Sequence, residues 1–182
     1  MNFLITGKPG VGKTTAIKKL LSFISNYRGF LTEEIRRKER REGFILKNFK
    51  GEEEVFAYLN FSSPWRVGRY GVNLEVLERL GVKEIEEGLK DRKVEWIVID
   101  EVGKMEMFSS RFQEVLKEAL NSDKKVLATI GEKYLSWVKE VIEDTSLSWL
   151  IVLTPQNRNS LNMVKGIPEI AGGKIWLGAK AK

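Results

Sequence analysis

The chain has 182 residues, of which 42% are hydrophobic and 31% are charged, so it can form one compact domain and is not globally disordered. Cysteine and histidine are both absent, which excludes disulfides, thiolate or imidazole metal sites, and catalysis by either side chain. The net charge is +6, and residues 1–30 carry five of these charges because they contain five basic residues and no acid. This local excess favours a small anionic ligand near the N-terminus, with nucleic acid as the alternative partner.

The chain shows no membrane or secretion signal. Its longest apolar runs are about five residues, against the roughly twenty that a membrane span requires. No charged region followed by an apolar stretch and a small-residue cleavage site stands at the N-terminus. We therefore expect a cytoplasmic, monomeric protein without a membrane partner. The many Lys, Arg and Glu residues, together with the lack of Cys, resemble the composition of proteins from thermophiles.

The first 60 residues change from one structural pattern to another. Residues 2–6 predict a short apolar strand, and a Gly/Pro turn separates it from a helix predicted over 13–24. An antiparallel meander is predicted as an insertion at 29–60, with β-prone runs at 30–31, 43–49 and 55–59. The charged segment 35–41 within it carries both signs, which favours a solvated hairpin tip over a nucleic-acid contact.

Beyond residue 60, a loop-like stretch at 62–73 precedes a regular alternation of helices and apolar strands. Helices are predicted at 74–80 and 82–89 on either side of Gly81, and at 109–120, 134–142 and 157–164; strands are predicted at 96–99, 126–130 and 149–153. This alternation predicts a three-layer α/β domain over 1–165, with a mostly parallel central sheet covered on both faces. Residues 166–182 are predicted as a tail whose last residues are poorly ordered.

A phosphate-binding loop follows the first strand. The pattern G-x-x-x-x-G-K-S/T is matched by Gly7, Lys8, Pro9, Gly10, Val11, Gly12, Lys13 and Thr14, with Thr15 next in the chain. Glycines allow the backbone to curl so that successive amides face an anion, and the start of the following helix adds its positive dipole end. Lys13 would reach the β- and γ-phosphates, and the Thr14 hydroxyl would ligate Mg²⁺.

Two adjacent acids end the predicted strand at 96–99. Asp100 fits the role of a magnesium-holding acid, and Glu101 is the natural general base because the chain has no histidine. Strict alternation along a strand would place the two side chains on opposite faces, so their relative position depends on where the strand ends.

The same residues also match the D-x-x-G motif of GTPases. The guanine-reading motif N-K-x-D has no counterpart, since the nearest string is Asn157-Arg158-Asn159-Ser160. Lys104 stands where many GTPases place a water-orienting glutamine. Adjacent Asp and Glu instead favour a RecA-like ATPase with a catalytic glutamate on the acidic strand.

Together these segments resemble a family of nucleoside-triphosphatases described as thermophilic nucleotide phosphatases and cancer-related NTPases. The resemblance rests on the phosphate loop with Thr15, on 66–72, on 99–109 with Phe112, on 128–130 and on 154–158. It implies a RecA-like domain that hydrolyses ATP, GTP, CTP, UTP and TTP with Mg²⁺ and little base discrimination. The implied nucleotide contacts fall on the phosphate loop and on Ile97, Val98, Ile99, Asp100, Glu101, Val102, Gly103 and Lys104.

Further cations near the γ-phosphate are expected because charge stabilisation dominates phosphoryl transfer. The candidates are Arg66, Arg69, Lys104 and Arg158, and Asn157 with Arg158 would cover the base without reading it. The family continues this Asn-Arg pair with aspartate, whereas this chain has Asn159. Three alternatives stay open: a nucleotide or polynucleotide kinase whose acceptor module is the meander, an ATPase linked to nucleic acid, and a non-enzymatic nucleotide switch that binds but scarcely turns over.

Overall fold

The computed structural model describes residues 1–143, 146–170 and 175–178. Within these residues, five parallel strands form the centre of a mixed sheet, in the order β9 (Ser148–Val152), β1 (Asn2–Thr6), β8 (Lys125–Ile130), β7 (Trp96–Val102) and β2 (Tyr27–Arg37). The order places β8 between the strand before the phosphate loop and the strand with the two acids. The carboxyl ends of parallel strands share one edge, so both motifs open at the same side of the sheet.

Helices cover both faces of this sheet, as the alternating pattern predicted. Helix α1 (Lys13–Leu21) packs on one face, where its Ile17 and Leu20 join a core with Phe3, Val98 and other strand residues. The other face carries a helical segment at 74–90, α4 (Ser110–Asn121) and α5 (Leu135–Val141), which share the second core. Ser109 caps α4 by accepting a hydrogen bond from the backbone N–H of Phe112 at 3.1 Å. The three-layer α/β prediction is confirmed.

The predicted meander is confirmed, but its strands are longer than predicted and they continue the central sheet. Strand β2 pairs in parallel with β7 through Tyr27–Phe30 and then in antiparallel with β3 (Arg40–Asn48), which pairs with β4 (Glu53–Tyr58). The charged residues belong to the strands, because Glu34 of β2 pairs with Arg41 of β3 at 2.9 Å. A two-residue turn with left-handed backbone at Lys38 and Glu39 closes this hairpin.

The helical prediction on either side of Gly81 needs one correction. The helix does not break there: α2 (Leu74–Val76), a π-helical turn at 77–82 and α3 (Lys83–Lys90) run on as one segment. A Cβ on Gly81 would come within 3.0 Å of the Phe30 ring. This glycine therefore lets the helix approach β2 and is not a breaker. The stretch predicted as a loop also holds a short hairpin, formed by β5 (Arg66–Val67) and β6 (Tyr70–Val72).

The helix predicted at 157–164 is wrong. Residues 155–159 form turns, and β10 (Leu161–Val164) pairs in antiparallel with β11 (Ile167–Ile170) across left-handed Lys165 and Gly166. Leu161 and Met163 alternate with exposed or polar residues, which is the period of a strand, and Leu161 packs on the core beneath α1.

The C-terminal end of the chain contributes a further strand. Residues 175–178 form β12, which pairs in antiparallel with β9 at the edge of the sheet. The expected disorder of the last residues, 179–182, lies outside the described residues, and the domain boundary at 165 stays a prediction. No helix in the described part of the chain has the length and apolar content needed to cross a membrane.

Candidate active site

The phosphate loop between β1 and α1 has the backbone that its glycines predict. Gly7, Gly10 and Gly12 have φ angles of 147°, 76° and 108°, in the left-handed range that residues with a Cβ rarely adopt. Gly7 also lies so close to Leu153 that a Cβ would come within 2.6 Å of its carbonyl oxygen. The loop thus curls over the carboxyl end of β1 and delivers the first residues of α1 to the mouth of a cleft.

Lys13, the first residue of α1, folds back over this loop. Its ammonium group donates a hydrogen bond to the Gly7 carbonyl at 3.1 Å and lies 3.6 Å from Glu101 Oε2. The residue is 8% exposed, so it is held in place and directed into the loop. Both partners are weak enough to exchange for the oxygens of a phosphate group.

A bulge in β7 resolves the position of the two acids. Ile99 pairs with Ala128 and Val102 with Ile130, so three steps along β7 match two steps along β8. Ile99 and Val102 consequently pack in the same core, and the extra residue frees Glu101 from that core. Asp100 faces α1 while Glu101 turns into the cleft with 38% of its side chain exposed. Strict alternation would have separated them.

Asp100 is buried and only partly hydrogen-bonded. The Thr129 hydroxyl donates to its Oδ1 at 2.5 Å, whereas its Oδ2 is buried without a hydrogen-bond partner in the described structure. Burial raises the pKa of Asp100 to about 6, against the opposing effect of the Thr129 and Thr14 hydroxyls. An orphaned carboxylate oxygen beside a hydroxyl is the donor set of a hard divalent cation.

Glu106, six residues beyond Asp100, is a second buried acid that the sequence analysis did not assign to the site. It starts a 3₁₀ turn at Glu106–Phe108, is 4% exposed and lines the cleft with Glu101. Burial, together with the charge of Glu101, raises its pKa to about 8. The signal available in the sequence was a lone acid within the segment 99–109, after the two strand acids.

The raised pKa of Glu106 predicts how stability changes with pH. An unfolded glutamate titrates near 4.5 and the folded one near 8, so the folded state binds more protons between these values. The free energy of unfolding should therefore fall as pH rises through this window, by an amount on the order of a few kcal/mol. Glu106→Gln should flatten this dependence, which thermal unfolding at pH 6 and pH 9 would measure. An equal loss in both proteins would contradict the prediction.

The cleft has a volume of about 970 Å³ and extends from the phosphate loop to the meander. Its far wall consists of residues that the sequence analysis did not assign to the site, among them Glu34, Arg36, Arg41, Phe44 and Tyr70. The Arg41 guanidinium lies 5.0 Å from the centre of the Phe44 ring and 5.6 Å from that of Tyr70. The contact between Arg41 and Tyr70 joins residues 29 positions apart, so no local pattern could reveal this wall.

Of the cations proposed to stabilise charge, Lys104 lines this cleft, is exposed and has no ion pair among the described residues. The structure directs Arg66 and Arg69 elsewhere. Arg66 donates to the carbonyls of Phe61 and Arg69 at 3.1 Å each, and Arg69 donates to the Arg41 carbonyl at 3.2 Å. Neither side chain lines the cleft, because the β5–β6 hairpin uses them to hold its own backbone.

Asn157 and Arg158, the two nucleotide-binding candidates in the turn after β9, have different surroundings. The Asn157 side chain accepts from the Thr154 N–H at 2.8 Å and donates to the Val152 carbonyl at 3.0 Å, so it stabilises the turn. Arg158 is exposed, and its Cδ lies 4.0 Å from where a Cβ on Gly12 would stand. Arg158 therefore flanks the phosphate loop.

Several residues in the implied contact segments do not face the cleft. Lys8 and Thr15 are exposed outside it, and Val11 packs in the core beneath α1. The remaining buried ones are the strand residues Ile97, Val98, Ile99 and Val102. The residues that the structure does bring together at the cleft are Gly7, Pro9, Gly10, Gly12, Lys13, Thr14, Glu101 and Lys104, with Asp100 buried behind them and Gly103 at its edge.

The basic excess of residues 1–30 is less concentrated on the site than its position suggested. Lys18 forms an ion pair with Glu33, and Arg28 pairs with Glu87 at 2.8 Å. Lys8 belongs to the phosphate loop but is exposed outside the cleft, and Lys18 lines the cleft. Lys13 is the one of the five whose side chain hydrogen-bonds to the loop backbone among the described residues.

A glycine-rich loop that ends in Lys13 and Thr14, one strand removed from the strand carrying Asp100 and Glu101, defines a P-loop NTPase of RecA-like type. The chain belongs to the NTPase family, whose model matches residues 2–164.

Similar proteins cover nearly the same length. The nucleoside-triphosphatase THEP1 of Thermotoga maritima is 44% identical over 161 residues, which are 88% of this chain and 91% of that protein. The crystal structure of THEP1 from Aquifex aeolicus superposes with a TM-score of 0.75 at 38% identity, covering 87% of this chain and 93% of that one. The solution structure of a human cancer-related nucleoside triphosphatase gives 0.69 at 31% identity, with 87% and 91% covered. The predicted family resemblance is confirmed.

Proposed function

We propose that the protein hydrolyses nucleoside triphosphates, namely ATP, GTP, CTP, UTP and TTP, to the diphosphate and phosphate with Mg²⁺. The observation that carries this proposal is the meeting of Lys13 and Glu101 at 3.6 Å in the mouth of the cleft. A cation for the phosphates and a carboxylate for water are thereby brought from two distant segments to one point. The names of similar proteins, nucleoside-triphosphatase THEP1 among them, support the same activity.

The residues present fit a bound Mg²⁺. Asp100, with its unpartnered Oδ2, and the Thr14 hydroxyl would hold the ion, which neutralises charge on the β- and γ-phosphates when bound. The described residues contain no group of three or more Asp, Glu, His or Cys side chains that could hold a metal ion by themselves. Phosphate oxygens and water would complete the shell, as is usual for Mg²⁺ at nucleotide sites.

The chain's own groups then perform the hydrolysis. Backbone amides of the loop and the Lys13 ammonium hold the phosphates, and Glu101 accepts a proton from a water that attacks the γ-phosphorus. The new bond joins that water oxygen to phosphorus, while the bond from phosphorus to the bridging oxygen breaks and leaves the diphosphate. Lys104 lines the cleft, has no ion pair among the residues that the structure describes, and would stabilise the transferring group.

The structure of the turn after β9 supports the proposed broad base specificity. The side-chain oxygen and nitrogen of Asn157 both form hydrogen bonds with the backbone of the turn. Arg158 is exposed and has no ion pair among the described residues. A base covered by such a turn meets no fixed set of side-chain donors and acceptors, and strong discrimination requires one. A cytoplasmic location and a monomeric state stay predictions.

Phosphate release from ATP, GTP, CTP, UTP and TTP, measured with and without Mg²⁺, tests this function directly. We expect turnover of all five nucleotides, with kcat/KM values that agree within about tenfold, because the turn after β9 offers the base no fixed set of side-chain donors and acceptors among the described residues. Release from one nucleotide only would contradict the broad specificity. No release from any of them would contradict hydrolysis itself.

A second candidate, transfer of the phosphoryl group to an acceptor, is favoured by the extent of the cleft. The space runs beyond Glu101 to the aromatic and charged wall on the meander, where a second molecule could lie. Formation of the diphosphate without free phosphate, with the phosphoryl group recovered on an added nucleoside, nucleotide or polynucleotide, would favour this kinase function. The same wall gives little support to an ATPase activated by nucleic acid. Its Arg36 and Arg41 side chains both form ion pairs with Glu34, at 2.5 Å and 2.9 Å, which reduces the positive charge available to a phosphate backbone.

The role of Thr14 as a metal ligand predicts a specific change in Mg²⁺ dependence. Thr14→Ala removes the hydroxyl that lies beside Asp100 and should raise the Mg²⁺ concentration for half-maximal rate by at least about tenfold. Thr14→Ser keeps a hydroxyl and is the matched control, which should stay close to the wild type. An unchanged Mg²⁺ dependence in Thr14→Ala would show that the hydroxyl does not bind the ion.

A further inference from the structure

The buried acid Glu106 is a titratable group of the cleft that the proposed hydrolysis does not use. It lies at the first position of the 3₁₀ turn after β7 and is 4% exposed. Among the described residues no lysine or arginine forms an ion pair with it. Burial of a carboxyl group without a cation is costly and calls for a specific reason.

Gly103 brings Glu106 and Glu101 together. A Cβ on Gly103 would stand 2.9 Å from Glu101 Oε1 and also 2.9 Å from Glu106 Oε2. The two carboxyl groups therefore flank the same point, and any side chain at position 103 would enter the space between them. Because glycine has no side chain, Gly103 allows the two acids to approach each other.

The two oxygens of Glu101 thus face different neighbours. Its Oε2 faces Lys13 at 3.6 Å, and its Oε1 is the oxygen beside the Gly103 position on the Glu106 side. When a nucleotide arrives, Lys13 turns to the phosphates, and its contact with Glu101 is weakened. The neighbour on the Oε1 side then remains to hold Glu101 in place.

The charges around Glu106 keep it neutral. Burial and the charges of Glu101 and Asp100 together raise the pKa of Glu106 to about 8. Hydrogen bonds from the backbone N–H groups of Gly103 and Glu106 oppose this shift only in part. Tyr134 is the titratable group from the 3₁₀ turn at Glu132–Tyr134 that faces it. These titratable neighbours are acids, and burial disfavours a further charge, so near pH 7 Glu106 carries a proton that it can donate.

We propose that Glu106 is a positioning residue for the general base, whose carboxylic acid donates a hydrogen bond to Oε1 of Glu101 and holds that carboxylate toward the attacking water. This inference deepens the proposed hydrolysis and rests on it. A carboxylate accepts at several lone pairs, so the hydrogen bond from Glu106 leaves others for water. Orientation of a base by a third group is how activated pairs keep their geometry.

The test compares kcat and KM across pH for the wild type, Glu106→Gln and Glu106→Ala. In the wild type, kcat should fall as pH rises through about 8, because Glu106 then ionises beside Glu101. The Gln variant keeps a neutral donor, so it should retain at least about a third of kcat at pH 7 and lose the fall above pH 8. The Ala variant should lose about 10–100-fold in kcat at an unchanged KM, the usual cost of removing an orienting partner.

A purely structural role would give other results. An alkaline fall of kcat that persists in Glu106→Gln, or a kcat of Glu106→Ala equal to that of the wild type, would overturn the proposal. If Glu106→Ala does not fold, as thermal unfolding would show, the pH profile of Glu106→Gln decides by itself. Gly103→Ala offers an independent check, since its methyl group pushes the carboxyls apart and should lower kcat without changing KM.

Failure of the underlying function has a different signature. If the wild type releases no phosphate from any nucleotide, or if Glu101→Gln turns over at the wild-type rate, the proposed hydrolysis is wrong. If both behave as expected and only the Glu106 variants do not, the positioning role alone is wrong.

Discussion

Lys13→Ala should lower nucleoside triphosphate turnover by about 10²–10³-fold, the usual effect of removing one preorganised donor from developing phosphate charge. Lys13 is the group that the described structure places in the phosphate loop, 3.1 Å from the Gly7 carbonyl and 3.6 Å from Glu101. The substitution also removes the cation beside Glu101, so nucleotide affinity should fall together with kcat. Phosphate release and equilibrium binding of a non-hydrolysable nucleotide analogue would measure the two effects.

The matched control for this variant is Lys19→Ala. Lys19 lies in the same helix, is exposed and does not line the cleft, so its loss changes the net charge equally. Turnover in the control should stay within about twofold of the wild type, because exposed charges at a distance are largely screened. Equal losses in both variants would show that the basic surface, and not the position of Lys13, carries the effect.

Glu101→Gln should reduce kcat by about 10²–10⁴-fold, the range over which a positioned general base contributes. An amide has nearly the shape of the carboxylate but cannot accept the proton of the attacking water. Binding of the nucleotide should be retained or tightened, because a negative charge is removed beside the phosphates. Single-turnover phosphate release would separate the chemical step from binding.

Glu118→Gln serves as the control for Glu101→Gln. Glu118 lies on the exposed side of α4, away from the cleft, and its substitution makes the same change of charge. Wild-type turnover is expected in this variant. If Glu101→Gln also turned over at the wild-type rate, another group would have to activate water. The chain has no histidine, so the other acids that line the cleft would then be tested, namely Glu33, Glu34, Glu106 and Glu132.

The two variants together separate the parts of the site. Lys13→Ala should lose affinity and kcat, whereas Glu101→Gln should lose kcat alone. Loss of affinity in both would mean that Glu101 acts mainly by holding Lys13 in the loop. The 3.6 Å contact between them makes the double variant informative, because coupled groups give a combined loss smaller than the sum.

Most of the fold was predictable because its signals are local. The alternation of apolar strands and amphipathic helices gave the layers, and Ser109 before α4 marked a helix start that the structure confirms. The secondary-structure predictions failed at Gly81 and at residues 157–164. The sequence predicts a break in the helix at Gly81, but this glycine packs against Phe30. It also predicts a helix at 157–164, but Leu161 and Met163 alternate as in a strand.

The candidate site divides along the same line. The glycine pattern of the phosphate loop and the adjacent Asp100 and Glu101 are contiguous motifs, so spacing alone identified them. The bulge in β7 that frees Glu101 from the core depends on how β7 pairs with β8. The pairing of two distant strands cannot be predicted from the sequence of either strand alone. Arg66 and Arg69 show the converse, since a motif placed them near the site and the hairpin turned them away.

The family, the α/β class, the phosphate loop and the identity of the candidate catalytic acids can all be predicted from the amino-acid sequence. Each of these features follows from composition or from neighbours within a few residues. The tertiary structure decided which groups meet: Lys13 with Glu101, Asp100 with Thr129, and Glu106 with Glu101 across Gly103. It also decided that Glu106 is buried and neutral near pH 7. Burial and proximity arise from long-range packing, and packing is what sets the pKa of a carboxyl group.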